Sequence, residues 1–271
     1  MSSSARCANP ASQYRLTLQH RSDFDTLAAE YERYRTSYSD ALFEAILAYA
    51  GPSRGRRALD LACGTGLSTR GLVTRGVAVT GIDIAPNMLE VAKRCGLEGA
   101  AFYEARAEAL PFADESFALV TCGQAFHWFD GPRVLREIAR VLVPGGAHAQ
   151  YWKHYDASDP FVKAADDLER TWSGQDPNLV WTASTASLRE WWQGSGLVDR
   201  ERRESETTLP FTIDSFVGYE SSRETLRIAL GERRPEYLAA LRSVLGRLAP
   251  TGSFTVKGKK YLYLGRRKRR A

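Results

Sequence analysis

The sequence predicts an α/β protein built on a doubly wound, mostly parallel sheet, and three observations support this. From Arg57 to Trp152 short apolar β-type runs alternate with helical patterns, as expected for strands joined by crossover helices. Two of the helical stretches open with proline and all three end in glycine, the usual punctuation of short helices. The 271 residues, 44% hydrophobic and 25% charged, can bury one large α/β core.

The elements follow in order. Residues 1–22, which lack the uninterrupted apolar core of a signal peptide, are expected to form a flexible N-terminus. Residues 23–51 read as a helix, a break near Thr36 to Ser39, and a second helix closed by Gly51, together an N-terminal cap. The core, 57–152, places strands on RALDLAC, VAVTGID, AAFYEA, FALVTCG and AHAQYW, and helices on STRGLVTRG, PNMLEVAKRCG and PRVLREIARVLVPGG. Residues 155–250 form an insertion and cap. DPFVKAADDLERTW and SLREWWQGSG read as amphipathic helices, LVDRERRESETTLPF as a long edge strand, and 213–249 mostly as helix. Residues 253–265 alternate as a terminal strand or hairpin, and 266–271 remain as a basic tail. The whole of 23–265 is expected to be a single domain.

Composition narrows the function. No apolar run approaches the roughly 18 residues of a membrane span, so a cytoplasmic protein without a membrane partner is expected. Four cysteines without paired C-x-x-C spacing argue for reduced thiols and against a metal site. The net charge of +5 resides in the RRKRR run at 266–270, without which 32 basic residues balance 32 acidic ones. That run is expected to be solvated, and no nucleic-acid partner is expected.

The stretch DLACGTGLSTRGL carries the chemistry. It lacks the Gly-Lys-Ser/Thr of a P-loop, and Thr69 stands where a dinucleotide loop has its third glycine. Asp60, just ahead of Gly64 and Gly66, would repel a pyrophosphate and attract an ammonium group. Asp83, at the carboxyl end of the second strand, can accept hydrogen bonds from both hydroxyls of a ribose. An amino-acid-bearing nucleoside without phosphates satisfies both acids.

DLACGTG, GIDIAPNML, AEALPFADESFALV and REIARVLVPGG, in this order, resemble the successive motifs of the class I S-adenosylmethionine (SAM)-dependent methyltransferases. The resemblance covers roughly residues 24–152. It implies a Rossmann-like seven-stranded fold with an antiparallel terminal strand, SAM as cofactor and S-adenosylhomocysteine as product. By position, Asp60, Ala62, Gly64 and Gly66 would contact the amino-acid and ribose portions, while Asp83, Ile84 and Met88 would flank ribose and adenine. For Asp60 the competing reading is a loop-bracing acid. Where relatives have Asp-Ala-Glu this chain has Arg106, Ala107 and Glu108, and a cation cannot accept from the adenine amino group. That contact would pass to backbone near Ala107 or to Glu108, unless Glu108 is a surface carboxylate.

AFHWFD and YERYRTSY are most similar to the trans-aconitate methyltransferase-like group, with Thr36 and Ser39 where that group has proline. By this resemblance Tyr34, Arg35 and Tyr38 would close over the methionine carboxylate or the acceptor, and Gln124 would border the cofactor. The competing reading has the tyrosines pack the cap helix.

Ligands of open α/β sheets sit beyond the carboxyl ends of the strands. CGQAFHWFD and QYWKHYD bring polar and aromatic groups to that rim. His127 is a candidate base or acceptor-orienting group and His154 a weaker one, whereas His20 and His148 are set aside; a base is required only for an acceptor that must lose a proton. Trp128 and Trp152 are the tryptophans expected at the site. A small-molecule acceptor is expected, best a small organic acid or hydroxyl methylated on oxygen, with N- or C-methylation of a specialised metabolite as the alternative. From other classes, a nucleic-acid methyltransferase would need an Asn/Asp-Pro-Pro-Tyr/Phe motif where QAFHWF stands, and a silent binding protein would show no turnover.

Overall fold

The computed structural model describes residues 26–51, 57–178, 191–193 and 195–270. The proposed N-terminal segment, His20 and Trp181 lie outside the described residues, as does most of the SLREWWQGSG helix, of which 191–193 are helical. Among the described residues, no helix is long and apolar enough to cross a membrane.

Helices α1 (Ala28–Tyr34) and α2 (Asp40–Ala50) precede the sheet, and Gly51 ends α2 at a positive φ of 82°. The core then runs β1 (Arg57–Leu61), α3 (Leu67–Val73), β2 (Ala78–Asp83), α4 (Pro86–Arg94), β3 (Ala100–Glu104), β4 (Phe117–Gly123), a short 3₁₀ turn (Phe126–Trp128), α5 (Gly131–Val141) and β5 (Leu142–Tyr155). Beyond it come α6 (Pro160–Ser173), β6 (Leu197–Thr212), α7 (Ile213–Ser221), α8 (Glu224–Leu230), a 3₁₀ turn (Gly231–Arg233), α9 (Arg234–Leu248) and β7 (Ser253–Arg267).

The strands form one seven-stranded sheet in the order β3-β2-β1-β4-β5-β7-β6. Strands β1 to β5 pair in parallel, and β7 enters antiparallel between β5 and β6. The chain reverses direction across the sheet between β1 and β4, the place where open α/β sheets bind ligands. Alternation along β1 sorts the two faces: Leu59 and Leu61 join Val134, Leu135 and Ile138 of α5, while Ala58 joins Phe43 and Ile46 of α2. A third apolar cluster, with Phe216, Leu226, Tyr237 and Leu241, fastens helices α7 to α9 to one end of β6 and β7.

Two boundaries differ from the sequence reading. The helix expected to run through PRVLREIARVLVPGG stops at Val141, because β5 starts at Leu142 and pairs there with Phe117 before a register shift. The basic run is not a frayed tail throughout. Arg266 and Arg267 belong to β7; Arg266 donates to the Gly145 carbonyl at 3.0 Å, Arg267 donates to the Arg140 carbonyl at 3.2 Å, and Arg270 pairs with Glu115 at 2.5 Å. Of these cations, Arg267 sits at the C-terminal end of α5, where the helix dipole favours positive charge.

Candidate functional site

Between β1 and α3 the chain turns through left-handed φ values of 49° at Ala62, 55° at Gly64 and 84° at Gly66. Glycine reaches such angles without a Cβ penalty, whereas Ala62 holds its position under mild strain. The Gly64 amide donates to Asp83 Oδ2 at 2.8 Å, and the Ala85 amide donates to Asp83 Oδ1 at 3.0 Å. The second-strand acid is thus fixed against the glycine loop.

Ala62, Gly64, Asp83, Ile84 and Met88 line one cavity, and Ala107, Glu108 and Gln124 close its other side. Glu108 is 8% exposed and accepts from the Asp130 amide at 3.3 Å, so the surface-carboxylate reading is set aside. The side chain of Arg106, in contrast, is 62% exposed.

Asp60 and Gly66 do not line this cavity. Asp60 is fully buried, with Oδ2 accepting from the Thr69 hydroxyl at 2.7 Å and Oδ1 from Thr121 at 2.8 Å and Ser68 at 3.2 Å. The loop-bracing reading therefore replaces the expected ligand contact: the carboxylate ties the first turn of α3 to β4. Burial pushes its pKa up to about 6 against the opposing pull of the three hydroxyls. Gly66 faces Ala92 and Phe102, where an added Cβ would sit 3.4 and 3.5 Å from its neighbours.

A second cavity adjoins the first, and Tyr31, Gln124 and Trp128 border both. Gln124 has a φ of 56° and clamps β5 through two hydrogen bonds, donating to the Lys153 carbonyl at 3.0 Å and accepting from the Lys153 amide at 3.1 Å. That clamp sets Lys153 and His154 on the rim. His127, Trp152, Arg35 and Lys153 also line the second cavity. The Arg35 guanidinium lies 4.8 Å from the Tyr31 and Tyr219 ring centres and donates to Ser222 Oγ at 2.9 Å and the Ser222 carbonyl at 3.0 Å. Lys153 Nζ donates to the Thr36 hydroxyl.

Electrostatics there are set by burial. Burial and Arg35 bring the His127 imidazole down to about 4, and burial and Arg223 do the same for His154. Burial, Arg35 and Lys260 lower the Lys153 ammonium to about 8. Both imidazoles are consequently neutral near pH 7.

Tyr34 and Tyr38 line neither of these two cavities, although the Tyr38 hydroxyl reaches Gly123, which lines the first. The Tyr34 ring packs so closely on Gly218 of α7 that a Cβ there would overlap it. Tyr38 stands edge-on to Tyr151 at 5.0 Å and to Phe43 at 6.1 Å, in the core on the α2 face. His148 is fully buried, with Nδ1 3.0 Å from the Val120 carbonyl. Sequence reading missed Tyr31 and Phe129 in the first cavity and Asp166, Tyr219 and Arg223 in the second. Tyr31 sat inside the YERYR motif, where its spacing carried a signal; the last three had none, because helices α6 to α8 bring them in from far along the chain.

The strand order, the glycine loop and the acid at the end of β2 define the class I methyltransferase fold. Residues 59–149 match the family model described as a methyltransferase domain. The chain is 39% identical over 145 residues to an uncharacterized methyltransferase of Mycobacterium bovis, covering 54% of this chain and 58% of the relative. It is 38% identical over 137 residues to a malonyl-[acyl-carrier protein] O-methyltransferase of Halorhodospira halophila, covering 47% and 45%. The chain thus spans about half the length of these relatives. Among solved structures, phosphoethanolamine N-methyltransferase 2 of Haemonchus contortus, in complex with phosphomonomethylethanolamine and S-adenosylhomocysteine, superposes with a TM-score of 0.56 at 19% identity, covering 94% of this chain and 60% of that one.

Proposed function

We propose that the protein transfers the methyl group of SAM to a small-molecule acceptor, with O-methylation of a small organic acid as the favoured reaction. The observation that carries this reading is the pair of adjoining cavities, one built on the glycine loop and Asp83, the other lined by Arg35 and Lys153. The first cavity suits the cofactor: Gly64 lines it with no atom within 4 Å of a Cβ added there, Asp83 is oriented by two amides, and Ile84 and Met88 supply apolar walls. In it Asp83 would hold the ribose diol, and Glu108 or the Ala107 backbone the adenine edge.

When bound, the sulfonium supplies an activated methyl group: an acceptor carboxylate oxygen forms the O–CH₃ bond as the S–CH₃ bond breaks, with the electron pair remaining on sulfur. Such an acceptor releases no proton, so the protein's task is alignment and exclusion of water. Tyr31, Gln124 and Trp128, shared by both cavities, would frame the transfer path. Arg35 and Lys153 would orient the anion, and Trp152 would form an apolar wall. The O-methyltransferase relative supports the choice of oxygen.

A second reading is favoured by one feature: His127, neutral at pH 7 and lining the acceptor cavity, could take a proton from a hydroxyl or amine acceptor. Incubation with methyl-labelled SAM and a panel of carboxylic acids, phenols and amines separates the two. Label recovered as carboxylic methyl ester supports the first reading; preference for neutral phenols or for amines contradicts it.

A further inference from the structure

We propose that the acceptor is a zwitterion, its anionic end held by Arg35 and Lys153 and its cationic end by the acidic wall around Asp166; this rests on the methyl-transfer reading above. The cavity lining carries charges of both signs. Lys153 lies next to Gln124, while Arg35 spans from Tyr31 to Tyr219 and Ser222 at the junction of α7 and α8, and among the described residues neither forms an ion pair with a carboxylate. The charges that act on Lys153 are both cationic, Arg35 and Lys260.

The remaining wall comes from α6 and the junction of α7 and α8, elements that contribute nothing to the cofactor cavity. Here Arg223 donates to Glu169 at 2.7 Å and to Glu220 at 2.6 Å, so one guanidinium faces two buried carboxylates and the group keeps a negative charge. Glu224 is paired with Arg227 at 2.7 Å. Asp166 adds a further carboxylate, held by the neutral Asn178 amide at 3.0 Å and without a direct ion pair among the described residues, with Arg223 and Arg170 acting on it from farther away. Burial raises the pKa of both Asp166 and Glu220, an energetic cost that a bound ammonium group would offset. One cavity thus presents Arg35 and Lys153, which have no carboxylate partner among the described residues, together with a carboxylate group around Arg223 that keeps a net negative charge.

This polarity also fits turnover. Esterification removes the acceptor's negative charge, so the product loses its hold on Arg35 and Lys153 while its cationic end remains bound. A dicarboxylate would set one of its anions against Asp166 and Glu220, and a diamine would set a cation against Arg35 and Lys153.

Calorimetry on the full chain tests this with S-adenosylhomocysteine present and, separately, absent. The probes are ω-amino carboxylates of graded length and the monocarboxylates, dicarboxylates and diamines of matching length. The expected result is that an amino carboxylate binds best, that Asp166→Asn weakens it about tenfold while leaving the monocarboxylate within about twofold, and that Lys153→Met weakens both. Melting temperatures of both variants establish that they fold. Dicarboxylates binding as tightly as amino carboxylates to the wild type, no binding of any amino carboxylate, or an unchanged affinity in a folded Asp166→Asn would overturn the proposal. Heat from S-adenosylhomocysteine alone is read first, so failure of the cofactor reading is scored independently of the acceptor series.

Discussion

The carboxylate of Asp83 accepts the Gly64 amide across 2.8 Å, joining the end of β2 to the glycine loop that follows β1. Loop and acid therefore act as one unit, and removing the acid both frees the loop amide and deletes the diol acceptor. Asp83→Ala is expected to abolish the rise in melting temperature that S-adenosylhomocysteine gives the wild type, since only ligand bound to the native state stabilises it. An unchanged rise would remove Asp83 from the cofactor site.

Asp60 gives a pH signature of defined sign. Its folded-state pKa, near 6, lies above the unfolded value of 3.8, so the folded protein binds the proton more tightly. Stability contributed by this group is present below pH 4 and is lost as pH rises through 6, by up to about 3 kcal/mol. Relative to Asp60→Asn, the wild type should lose stability over that interval and show a constant difference above it. Calorimetric melts of both proteins from pH 4 to 8 check this, and a difference independent of pH contradicts it.

Lys153 predicts the alkaline limb of acceptor use. Its ammonium is charged below about pH 8 and neutral above, so kcat/KM for an anionic acceptor should fall as pH rises through 8. Lys153→Met should remove that inflection and lower the plateau. His127, held near 4, should produce no inflection between pH 6 and 7. A profile whose inflection near 8 survives in Lys153→Met assigns it to another group.

Gly71 of α3 meets the face of α2 where a Cβ would overlap the Phe43 ring. Gly71→Ala should cost about 1–3 kcal/mol, the usual penalty for overpacking, despite alanine's better helix propensity. Urea denaturation measures it, and a stabilised variant would show that α2 shifts freely on α3.

The parallel core was legible because strand and helix periods differ, because proline marks the starts of α4 and α5, and because glycine follows the end of α4. Val141 was not recognisable as the last residue of α5, since VLVP carries an apolar pattern that suits helix and strand equally. The glycine loop and Asp83 were legible as local motifs. The bracing role of Asp60 was not, because its partner Thr121 lies on β4 and meets it only through the pairing of β1 with β4. Tyr34 and Tyr38 shared a motif with Tyr31 and Arg35, yet the turn between α1 and α2 sends them to different surroundings. The acidic wall of the acceptor cavity depends on the insertion of β7 between β5 and β6, a long-range pairing that no local pattern records.

Isothermal titration of the chain with S-adenosylhomocysteine tests the central claim most directly. A single saturable site that is lost in Asp83→Ala is the predicted result. No heat with this ligand or with SAM, together with tight uptake of NADH, would contradict it.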